Sequence, residues 1–206
     1  MNPAMYRPSL LNFILLLDMN SEQLILGIDP GTNIMGYCLL KYDGHNYAIV
    51  TIGCLRLSKY ETHIDKLRGI VEFTSNLLNT HKPQVMAIEE PFFGKNVQSM
   101  LKLGRAQGSV MSVAMQHGLE IVEITPRRVK QAITGKGSAS KEQVAAMVAN
   151  ITGYDISQLN TDATDAAAIA ISYTLQKIKT TSAPTRKKNS NSWDQFLREN
   201  PNKILK

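Results

Sequence analysis

The stretch "LILGIDPGTNIMGY", residues 24–37, decides how the rest of the chain is read. An apolar run suited to a buried strand ends on Asp29, and Pro30 and Gly31 then turn the chain sharply. A carboxylate at the end of a buried strand costs free energy unless something holds it. Three roles are open at this point: a turn acid, part of a phosphate loop, or a metal ligand.

Outward from this stretch, "IMGYCLLKYD" (34–43) and "NYAIVTIGCLRL" (46–57) alternate and are rich in β-branched and aromatic residues, with "DGHN" between them as a turn. Three strands joined by short turns make an antiparallel meander. "HIDKLRGIVEFTSNLLNTH" (63–81) has apolar residues at helical spacing and is stopped by Pro83. A short buried strand, "VMAIEE" (85–90), follows, then a long amphipathic helix over 96–118, the strand "LEIVEIT", and helices around 141–150 and over 162–177. The order βββ α β α β α α implies a mixed sheet with helices packed on it.

The 206 residues, 43% hydrophobic, are enough for one domain with a core. The net charge of +6 is unevenly placed: residues 1–176 carry 15 Lys/Arg and 15 Asp/Glu, whereas 177–206 carry 8 and 2. A balanced body with a basic tail suits a polyanion such as nucleic acid. Expected organisation is an extension over 1–18, disordered or not native with translation starting at Met19, then a domain over 19–178 and a disordered basic tail over 179–206. The run "LLNFILLLDM" (10–19) is far shorter than the ~20 residues of a membrane span. Cys38 and Cys54 make no disulfide framework, so the expected location is the reducing cytoplasm.

Acids recur at the ends of elements. Asp29 ends the first strand, Glu89 and Glu90 the fourth, and "TDATDAAAIAIS" (161–172) opens the last helix with Asp162 and Asp165. Residues three apart on a helix point in similar directions, so these two carboxylates share a face. Helix capping accounts for that pair but not for acids at two strand ends. Oxygen ligands without paired His or Cys fit Mg²⁺ or Mn²⁺ better than zinc. Such a cluster can hold two ions about 3.5–4 Å apart for phosphodiester chemistry.

"GIDPGTNIMGY", "AIEEPFFGKNVQSMLKLGRAQG", "ITPRRVKQAITGKGSASKEQV" and "DATDAAAIAI" together resemble, in order, the motifs of the RuvC family of Holliday-junction resolvases. The resemblance runs from about Leu24 to Gln176. It implies an RNase H-like α/β fold with helices on both faces of the sheet, a homodimer, and Mg²⁺-dependent paired nicking of four-way DNA junctions in recombination and repair. A branch-migration helicase complex is the partner it implies. By position, Asp29, Glu89, Asp162 and Asp165 match the catalytic, metal-binding acids. Glu90 falls where the family often has Gln, which leaves the Glu89/Glu90 register open.

The same resemblance makes Phe92 the aromatic that wedges the junction, although packing in the core is the commoner role for Phe. "TPRRVKQAITGKGSASK" gathers Arg127, Arg128, Lys130, Lys136 and Lys141, and Lys130 and Lys141 match basic positions near the scissile phosphate. Gly135 and Gly137 would let backbone N–H groups approach phosphate. Gly104, Gly108 and Ser112 form a narrow ridge on the long helix that suits either another subunit or the chain's own sheet. An actin-like ATP-binding domain would need a second Gly-rich loop, which "DATDAAA" does not supply. A nuclease for another structured nucleic acid and a non-catalytic binding module are the remaining readings.

Overall fold

The strand β1 (Gln23–Asp29) sets the layering because its alternate residues go to different cores. Leu26 and Ile28 belong to one hydrophobic cluster, and Ile25 belongs to the other. A strand covered on both faces reads as a continuous apolar run. The computed structural model describes residues 22–91 and 96–182. The expectations for residues 1–18, for Phe92 and for the tail beyond 182 lie outside these.

β1 lies at the centre of a five-stranded sheet ordered β3–β2–β1–β4–β5. Its neighbours are β2 (Ile34–Tyr42), antiparallel, and β4 (Val85–Glu89), parallel. The edges are β3 (Tyr47–Arg56), antiparallel to β2, and β5 (Glu120–Ile124), parallel to β4. At the β2–β3 hairpin, the Asp43 carboxylate accepts the N–H groups of His45 and Asn46, and Gly44 takes a positive φ of 97°. A register shift at Leu39/Leu40 leaves Val50 on the solvent side of β3.

Helices α1 (His63–His81) and α2 (Val97–Gln116) cover one face, with Ile70, Leu78, Val110 and Ala114 in the core beneath them. Thr62 caps α1 through the Asp65 N–H, and Asn96 caps α2 through Ser99. The other face carries α3 (Pro126–Thr134), α4 (Lys141–Thr152) and α5 (Thr161–Ser182). The sheet is therefore mixed, with helices on both sides, as the motif order implies.

One element departs from the order read along the sequence: α3 occupies the basic stretch, where that order has no helix. It shows only Val129 and Ile133 to the core, too few to register as a periodic pattern. Its ends are nevertheless marked, by Thr125 as N-cap, Pro126 in the first turn, and Gly135 at φ 77°. Among the described residues, no helix is long and apolar enough to cross a membrane.

α5 is Ala-rich where it meets the sheet, and the sheet answers with glycine. A Cβ on Gly27 of β1 would stand 2.1 Å from the Ala166 carbonyl oxygen, and one on Gly36 of β2 would stand 1.9 Å from that of Asp162. Backbone lies directly on backbone, so no side chain can be added there without moving the helix. Gly27→Ala is expected to lower stability by about 1–3 kcal/mol, the usual cost of overpacking. Urea unfolding with an unchanged midpoint would show that α5 yields freely.

Candidate active site

Period-two alternation aims the first two acids. Ile25, Gly27 and Asp29 share one face of β1, and Val85, Ala87 and Glu89 share the matching face of β4. Both series face α5, as the Gly27–Ala166 approach shows. The parallel ladder pairs Ile28 with Ile88, so Asp29 and Glu89 emerge side by side one step further on. In open α/β sheets, the carboxyl ends of neighbouring strands are where ligands bind. Glu90 is exposed beyond the strand end, its N–H donating to the Ile124 carbonyl at 3.0 Å, and it is not among the charges acting on Asp29.

The first turn of α5 brings the other two. Gly36 pairs with Asp29 across the β1–β2 ladder, and the Asp162 carbonyl sits on Gly36, so the turn lies over the end of β1. Asn160 takes the cap: its Oδ1 accepts the Asp162 N–H at 3.0 Å. Asp162 is therefore not needed as a cap for its own helix, the role that capping offered it in the sequence. Lys141, first residue of α4, donates from Nζ to Asp165 Oδ2 at 2.7 Å. A capping box between Ser140 and Gln143 fixes the start of α4 and with it the root of Lys141.

Electrostatics confirm that these side chains share one field. The Asp29 carboxyl is pushed up to about 8, by burial first and then by Glu89, Asp165 and Asp162, while Lys141 opposes. Burial, followed by Asp165, raises Glu89, against the pull of Lys141 and Lys130. Lys141 is raised chiefly by its hydrogen bond to Asp165. Four carboxylates facing two ammonium groups leave an excess of negative charge, which suits a hard divalent cation. Among the described residues, no three His, Cys, Asp or Glu side chains are disposed to hold a metal ion, and Lys141 takes up one oxygen of Asp165. The fit thus rests on the donor chemistry, with Asp29, Glu89, Asp162 and Asp165 as the residues that would hold the ion.

Of the basic candidates, Lys130 and Lys141 reach this field, whereas Arg127 and Lys136 are exposed and do not act on Asp29 or Glu89. The glycines of the basic turn are spent internally. Gly135 N–H donates to the Gln131 carbonyl at 3.1 Å, Gly137 N–H donates to Gln131 Oε1 at 3.0 Å, and a Cβ on Gly137 would meet the Arg127 stem at 2.9 Å. They shape the end of α3 and leave neither N–H free for a phosphate. The sequence reading also missed Asn160, Gly27 and Gly36. Only Asn160 carried a local signal, as a cap residue just ahead of the helix.

Paired acids at the ends of adjacent parallel strands, completed by acids from a helix laid across them, define a nuclease of the RNase H-like class. The sequence model described as crossover junction endodeoxyribonuclease RuvC matches residues 25–173. The crossover junction endodeoxyribonuclease RuvC of Cytophaga hutchinsonii is 45% identical over 183 residues, covering 89% of this chain and 88% of its own. That of Christiangramia forsetii is 45% identical over 186 residues, covering 90% and 95%. The solved structure of T. thermophilus RuvC in complex with Holliday junction substrate superposes with a TM-score of 0.72 at 28% identity, covering 77% of this chain and 97% of that one. The chain belongs to the RuvC family of crossover junction endodeoxyribonucleases.

The shift of Asp29 fixes a pH dependence. Free aspartate ionises near pH 4, but in the fold Asp29 keeps its proton to about 8. Between these values the folded state binds more protons than the unfolded chain, so this group makes stability fall as pH rises. In metal-free buffer, Asp29→Asn is therefore expected to melt at a higher temperature than the wild type at pH 8, the gap closing toward pH 5. Thermal melts showing no gap at pH 8 would remove Asp29 from the crowded field.

Proposed function

We propose that the chain is a structure-selective endonuclease that resolves four-way DNA junctions by paired, symmetric nicks in recombination and repair. The observation that carries the proposal is the convergence of Asp29, Glu89, Asp162 and Asp165 on one end of the sheet. Family membership supports the junction as substrate. The reaction is hydrolysis of a phosphodiester by water with inversion at phosphorus, leaving 5′-phosphate ends that can be ligated.

Asp29, Glu89, Asp162 and Asp165 are the catalytic acids and the ligands for Mg²⁺, with Mn²⁺ as substitute and two ions per subunit. Bound there, the cation supplies charge stabilisation at the phosphate and lowers the pKa of water. Burial and mutual repulsion hold Asp29 and Glu89 poised for a positive charge they lack. Lys141 reaches the same field and is placed to neutralise charge developing on the phosphate. Lys130 extends that positive flank beside Glu89. Arg127 and Lys136, exposed farther along, contact the DNA backbone, and Phe92 wedges the crossover by stacking on unpaired bases. Such work on DNA places the protein in the cytoplasm, where a branch-migration helicase complex is its partner.

Two nicks related by a two-fold axis require two sites so related, hence a homodimer. α2 supports this on its own account. Val97, Leu101 and Met115 are exposed by 66, 53 and 60%. They line up with Gly104 and Gly108, where an added Cβ would meet nothing within 4 Å. The small-residue ridge therefore does not pack on the chain's own sheet, and its spacing suits a second α2.

Asp29→Asn should bind a mobile four-way junction but not cut it in Mg²⁺, while the wild type prefers that junction to a linear duplex or an RNA:DNA hybrid. A variant cutting at the wild-type rate would overturn the site. Preference for the hybrid would favour a different substrate. Gly108→Arg should run at monomer mass in light scattering and lose paired nicking, whereas a dimer of normal activity would free α2 from that role.

A further inference from the structure

The peptide joining Glu89 to Glu90 is held at both of its polar atoms. Its N–H, from Glu90, donates to the Ile124 carbonyl at 3.0 Å. Its carbonyl, from Glu89, accepts from Gln107 Nε2 at 3.2 Å. The same Gln107 nitrogen donates to Glu123 Oε1 at 3.1 Å, so one side chain reaches the ends of both β4 and β5. A primary amide has two N–H donors, and both are used. Gln107 is only 4% exposed and lies on α2, across the sheet from α5.

A buried amide is kept at the cost of desolvation, so its partners indicate what it is for. Here they are the backbone of Glu89 and the side chain of Glu123, the residue before Ile124, with which Glu89 pairs in β5. The β1–β4 ladder ends at Ile28 and Ile88, so β1 does not secure the Glu89 peptide. Bonds at both polar atoms of that peptide hold the end of β4 in place, and with it the Cα of Glu89 from which the carboxylate departs. We propose that Gln107 is a positioning residue for the cleavage reaction. It grips the Glu89 carbonyl from behind the sheet and so holds the Glu89 carboxylate on the α5 side, against Asp29 and Asp165. The inference rests on the reading of Glu89 as one of the four catalytic acids.

The consequence is a loss of rate without a loss of binding, since misplacement of a reacting group by a fraction of an ångström lowers turnover steeply. Gln107→Leu keeps the bulk but removes both donors. It should lower kcat by about tenfold or more in Mg²⁺, with KM for a four-way junction and the mass of the protein unchanged. Gln107→Glu should lose both bonds as well and place a carboxylate against Glu123. Combining it with Glu123→Gln restores a donor–acceptor pair between α2 and β5 but gives the Glu89 carbonyl no donor. The double variant should therefore recover the melting temperature of the wild type while its kcat stays low. If kcat returns together with the melting temperature, Gln107 serves only to pack α2 and the proposal is overturned. A kcat for Gln107→Leu within twofold of wild type overturns it as well. Should Gln107→Leu not fold, Gln107→Met carries the same expectations. Glu89→Gln separates the two levels. If it cleaves normally, the assignment of Glu89 falls; if it is inactive while Gln107→Leu is normal, only the positioning role falls.

Discussion

Repulsion among carboxylates is the constraint on which the rest of this structure depends. Burial first, and then the carboxylates of Glu89, Asp165 and Asp162, push Asp29 up to about 8, and the fold must hold the acids together against that repulsion. Every device around the site serves this purpose. Two acids are borne on central strands, where the ladders leave the backbone little freedom. The other two ride on a helix whose first turn is tied by Asn160 and laid on glycine. Lys141 and Lys130 offset part of the charge and leave the remainder for a cation.

The two faces of the sheet divide the labour. The α5 face carries the charged cluster: the four acids, Lys141 of α4 and Lys130 of α3. The opposite face carries α1 and α2, whose inner side is ordinary core and whose outer side, along α2, is an apolar seam interrupted by glycine. Gln107 sits between these two functions, within one residue of Gly108 on the seam and in contact with the backbone of Glu89. A helix with an exposed apolar seam is thereby bonded to the strand end that bears an acid.

Much of this was legible in the residues, and the limits have physical reasons. Strand alternation and turn chemistry gave the meander, because each signal is local. α1 shows both ends, Thr62 before it and Pro83 after it. The acids stood out because carboxylates at strand ends violate the expectation for buried sheet. Glu89 against Glu90 stayed open in the residues, and it is the folded strand that puts Glu89 on the face of Val85 and Ala87 and leaves Glu90 exposed beyond it. α3 escaped because nine residues with two buried side chains make no periodic pattern. Gly27 and Gly36 escaped because a glycine in a strand has many explanations, and its partner here lies more than a hundred residues along the chain. Gln107 looked like a polar residue on an amphipathic helix, for burial of one amide is a tertiary fact.

The seat of α5 on Gly27 and Gly36 has a bearing on how such a site endures change. Side chains in a core trade volume with their neighbours, so an interface made of them can drift as substitutions accumulate. An interface of carbonyl oxygen on bare Cα has nothing to trade. The separation between the β1 acid and the α5 acids is accordingly set by covalent geometry and atomic radii. Sequence can diverge widely around that contact while the gauge of the site stays fixed.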